Sequence, residues 1–131
     1  MPKQNIPPIL RNVCEYARVK RRTQFPELMK AAADINLPDS HSVHFLVSRM
    51  CIHLNITCPK IHTRPLGMNW ASPKRYLIHI GLDDVNVEMV LHELAHLISD
   101  QPEPLGAKRK TYHGGHFVQT LDRLLAVWSN F

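Results

Sequence analysis

Cysteine is scarce in this chain and does not pair up: Cys14, Cys51 and Cys58 are an odd number, with no C-x-x-C spacing among them. That pattern argues against a disulfide framework, and the three residues read as buried thiols in a reducing compartment. Long hydrophobic runs are missing as well. Nothing approaches the roughly 18 consecutive apolar residues of a membrane-spanning helix, and the first eight residues, Met1 to Pro8, lack the apolar core of a secretion signal. A soluble cytoplasmic protein is expected. Internal repeats and low-complexity tracts are absent too, so neither a solenoid nor an extended linker fits.

What is present suits one small α+β domain. The chain has 131 residues, 44% of them hydrophobic, which is enough for a single core and too little for two independent ones. We therefore expect one domain over 1–131, with a helical N-terminal part over 1–55 and the chemistry-bearing core over 56–131. Ile9, Val13, Tyr16 and Ala17 predict a first helix over Ile9 to Lys20. Pro26 and the run Glu27 to Ala33 predict a second. Pro38-Asp39-Ser40 caps a third, whose core stripe is Val43, Leu46, Val47, Met50 and Leu54. His44 and His53 on that helix read as ordinary surface or boundary residues. Strand signals run from Ile56 through Thr63, with Pro59 marking an edge or a bulge, and return most clearly at Tyr76 to Ile80.

The densest chemistry lies in Val90-Leu91-His92-Glu93-Leu94-Ala95-His96-Leu97-Ile98. Histidines one helical turn apart project about 6 Å apart from one face, so both imidazoles can reach a single Zn²⁺ at roughly 2.0–2.1 Å. Glu93 beside the first histidine then lies near the open position of the metal, where it can take a proton from water as a general base. On a helical wheel His92, His96, Met89 and Glu93 share an arc of about 100°, while Val87, Val90, Leu91, Leu94, Leu97 and Ile98 fill the opposite one. Such a helix is buried on two sides. Imidazoles and a carboxylate turned inward are costly without a partner, and a bound cation supplies one.

A catalytic zinc takes three protein ligands and leaves the fourth position to water. The metzincin pattern would place glycine three residues and histidine six residues beyond His96, where this chain has Ser99 and Pro102. No glutamate follows Glu103, so a glutamate from a later helix is excluded. Asp100 lies a turn along the same stripe and suits outer support rather than ligation. The segment Tyr112-His113-Gly114-Gly115-His116-Phe117 remains, at the start of a helix whose buried stripe is Phe117, Leu121, Leu124, Leu125 and Trp128. His113 at the entrance of that helix is the favoured third ligand. His116 is the alternative, or a polar group lining the cleft.

His92-Glu93-Leu94-Ala95-His96 followed by His113-Gly114-x-x-Phe117 resembles the SprT-like zinc metalloproteases, whose pattern is HExxH, a short loop, then H-G-x-x-[FW] opening the last helix. The resemblance covers about Ile56 to Trp128 and takes in Trp70, Ala71, Pro73 and the strand-like Tyr76 to Ile80 upstream. It implies His92, His96 and His113 as zinc ligands, Glu93 as catalytic base, and a substrate bound as an extended strand beside the site. Within that group the chain looks most like the small metallohydrolases of bacteria and their phages. No cysteine pairs follow the site, so the zinc ribbon of many SprT relatives is not expected.

The formal net charge is +5. Basic residues cluster at Arg11, Arg18, Lys20, Arg21 and Arg22 and again at Lys108-Arg109-Lys110, as they would for a phosphate backbone bound with strong salt dependence, or for a solvated face that keeps a small domain in solution. The sequence thus predicts an α+β minimal zincin with N-terminal helices, a small sheet, the HExxH helix and a C-terminal helix. Its expected chemistry is zinc-dependent hydrolysis of a peptide or protein substrate, with an association with nucleic acid as a further expectation. Tyr112 is the candidate oxyanion donor, and His79 a residue of the cleft or of a solvated strand face. Two alternatives remain open: a non-catalytic DNA-binding protein with a closed structural zinc site, and a metallohydrolase of a non-peptide bond.

Overall fold

A computed structural model describes residues 22–99 and 115–131. Within them the chain is mixed α+β: helices α1 (Pro26–Ala33) and α2 (Ser40–Leu54), strands β1 (Lys60–Arg64), β2 (Trp70–Ser72) and β3 (Leu77–Gly81), then helices α3 (Val87–Ser99) and α4 (Gly115–Trp128). The expected helix over Ile9 to Lys20 lies outside the described residues.

Local chemistry accounts for the helix ends. Pro26 opens α1, where its missing N–H costs nothing. Asp39 caps α2 by accepting from the Ser42 backbone N–H and from the Ser42 hydroxyl, each at 2.8 Å, and these bonds hold its carboxyl below the usual range. The same helix stops at Asn55, which takes the left-handed conformation (φ 56°), and the Ile56 N–H turns back to the Cys51 carbonyl at 3.0 Å. Its buried face is Val43, Leu46, Val47, Met50 and Cys51, with Leu54 half-buried at the end. Asp122 of α4, itself buried, receives the Thr23 hydroxyl and the Gln24 N–H (3.0 Å), which ties the approach to α1 onto the last helix.

The sheet has the order β1-β3-β2, with β3 parallel to β1 and antiparallel to β2. All five residues of β3 are buried. Ile78 and Ile80 lie in the main core, and their full burial contributes about 1.5–3 kcal/mol each. Gly81 is covered by the loop over residues 65–69: Asn69 accepts its N–H at 2.8 Å, and a Cβ built on Gly81 would lie 2.3 Å from the Gly67 carbonyl oxygen. Backbone cannot yield as a side-chain tip can, so Gly81→Ala is expected to cost about 1–3 kcal/mol or more. Thermal unfolding measures that loss, and an unchanged melting temperature would show that the loop does not rest on the strand.

Helix α3 packs against the other three described helices and against β2 and β3. Asn86 starts it by accepting the Met89 N–H at 2.9 Å, while the Val87 N–H bonds the Ile35 carbonyl and Asn36 bridges Asn86. Val90, Leu91, Leu94 and Leu97 meet Phe117, Leu121, Leu124 and Leu125 in one cluster. The HExxH segment therefore sits on the most enclosed of the described helices.

Candidate metal centre

His92 and His96 come together as their spacing requires. Their ring centroids are 4.9 Å apart and the rings stand nearly edge to face, at 74°. Phe117, from the first turns of α4, touches both, with centroids 5.0 Å from His92 and 4.4 Å from His96. The apolar stripe of α4 thus does more than fill the core, because its first large residue holds two imidazoles in place. His96 is 4% exposed and His92 half-buried, so the pair reaches from the core toward the surface.

Glu93 is 8% exposed, and burial pushes its carboxyl up to about 7. Glu88 is 1% exposed and is raised to about 7 by the same cause, and among the described residues its Oε1 has no hydrogen-bond partner. It lies one turn before His92, so the stripe of chemistry-bearing residues on α3 begins earlier than HExxH. The i, i+4, i+8 spacing of Glu88, His92 and His96 is the signal that would have shown it.

These raised carboxyls set a pH dependence in the metal-free protein. The folded chain keeps the Glu88 and Glu93 protons up to about 7, whereas the ordinary value is 4.5. The stability they contribute is full below 4.5 and is lost as pH rises through about 7. Glu88→Gln removes one of the two protons from this linkage, so the variant should gain on wild type as pH rises over that window. Thermal unfolding in chelator across the window checks it, and a constant difference between the two proteins would contradict it.

His113, Tyr112 and Asp100 lie outside the described residues, as do Lys108, Arg109, Lys110 and every N-terminal basic residue named above except Arg22. His116 is exposed in the first turn of α4, and its carbonyl accepts the Thr120 hydroxyl at 3.0 Å. Among the described residues no cluster of three or more His, Cys, Asp or Glu forms a metal site. His44 and His53 are exposed, as expected. His79 is not on a solvated face: β3 is central, and the ring is buried under Trp70, parallel to it within 5° at 5.1 Å. The thiols divide likewise, since Cys51 is buried but Cys58 is exposed, against the expectation that all would be enclosed.

No family model, curated protein or solved structure matches this chain.

Proposed function

We propose that the protein is a minimal zincin, a zinc-dependent metallohydrolase acting most directly on peptide bonds, with His92, His96 and His113 as ligands and Glu93 as general base. One observation carries this reading: two histidine rings 4.9 Å apart on one helix, with the enclosed carboxyl of Glu93 between them in sequence. The donor set fits zinc, because imidazoles suit that ion and a carboxyl raised by burial is returned to its charged form by a nearby cation. Zinc held there would polarise a carbonyl and make water more acidic.

The remaining work falls to the chain. Phe117 packs against both rings and fixes them. Glu93, once charged, accepts a proton from the attacking water and returns it to the departing amine. Strand β2 packs on α3 and pairs only with β3, so its other edge is open among the described residues to an extended substrate held by backbone hydrogen bonds. Tyr112, beside His113 in sequence, is proposed to donate to the developing oxyanion.

Elemental analysis tests the ligand set. Wild type is expected to hold one zinc per chain and His113→Ala to lose most of it. Full retention by His113→Ala together with loss in His116→Ala would move the third ligand to His116.

A further inference from the structure

Away from the histidines, Cys51 and Cys58 lie on either side of the turn that ends α2. Cys51 points from the helix into the core, whereas Cys58 lies exposed two residues beyond Ile56, whose N–H is bonded to the Cys51 carbonyl. The left-handed Asn55 reverses the chain so that the Cys58 sulfur returns over the last turns of the helix, 3.9 Å from the Ser48 hydroxyl and 3.6 Å from the Pro59 carbonyl. Ser48 and Cys51 are neighbours on one helix face, at i and i+3. Cys51 is pushed up, first by burial and then by the charge of the neighbouring Cys58. Tyr76, whose hydroxyl donates to the Thr57 carbonyl, anchors the turn from the other side.

We propose that Cys51 and Cys58 form a dithiol modification site at which a hydroperoxide makes an intramolecular disulfide. The exposed Cys58 sulfur attacks the peroxide, the O–O bond breaks, and Cys58 becomes a sulfenic acid as water (or the alcohol, for an organic peroxide) leaves. The Cys51 sulfur then displaces the sulfenic hydroxyl, the S–S bond forms, and the Cys51 proton departs with that oxygen as a second water. Two thiols are oxidised and one peroxide is reduced. The accessible residue meets the oxidant and the enclosed one resolves it. The product ties the end of α2 to the start of β1 without using any residue of the proposed zinc site.

The test treats folded full-length protein, wild type and Cys14→Ser, with hydrogen peroxide, followed by thiol titration and peptide mapping without reduction. The expected result is a loss of two thiols per chain, a Cys51–Cys58 linked peptide in both proteins, and recovery of both thiols with a reductant. Cys58→Ser, altered only at an exposed position, should keep Cys51 as a thiol under the same treatment. The proposal is overturned if Cys58 accumulates as sulfinic or sulfonic acid beside an intact Cys51, if it pairs with Cys14 or another chain, or if Cys51 is oxidised equally fast in Cys58→Ser.

Discussion

Glu93→Gln is expected to keep its zinc and its fold while turnover falls about 10²-fold or more. Glutamine has nearly the shape of glutamate and fills the same enclosed space beside His92, but it accepts no proton from water. Burial already holds the carboxyl near neutrality in the metal-free protein, so losing the charge should not unfold α3. Zinc content, melting temperature and cleavage of an unfolded protein substrate are compared between variant and wild type. Retained zinc with lost cleavage supports the general base. Undiminished activity in the variant, or a variant that loses both metal and fold, would remove Glu93 from that role.

His96→Ala should have the larger effect on the metal. Removing one of the two converging imidazoles deletes a ligand outright, so affinity should fall by more than the 10–100-fold typical of losing a group that only supports a ligand. The same truncation leaves Phe117 without its nearer ring contact and opens space on a helix face that is almost fully buried, at a cost of about 1–3 kcal/mol. His92→Ala, at a half-buried position, should match the loss of zinc with less loss of stability. Competition with a chromogenic chelator measures the first quantity and thermal unfolding in chelator the second. Zinc affinity unchanged in both variants would show that these rings do not bind metal.

Much of this arrangement was legible because it is local. Asp39 before an apolar stripe announces an N-cap, Pro26 a first turn, and His92 and His96 a shared helix face whatever the rest of the chain does. The sheet was harder to read. Ile56 to Cys58 carries strand-forming residues, yet the Ile56 N–H is already committed to the end of α2, so pairing starts only at Lys60. Strand β2 spans three residues, too few for a period of two to show. Covered on both faces, β3 has no polar side, so of the two places open to His79 the solvated face does not exist. Glu88 was overlooked because a glutamate in the first turn of a helix ordinarily serves the helix dipole at the surface. Its burial depends on elements distant in sequence, and spacing along α3 alone does not report them.

A crystal of zinc-loaded protein, with anomalous diffraction collected at the zinc edge, would test the central proposal most directly. The account predicts a peak about 2.0–2.1 Å from one nitrogen each of His92 and His96, a third protein ligand at His113, and a fourth position left to solvent beside Glu93. A peak elsewhere, or a site closed by four protein ligands, would contradict it.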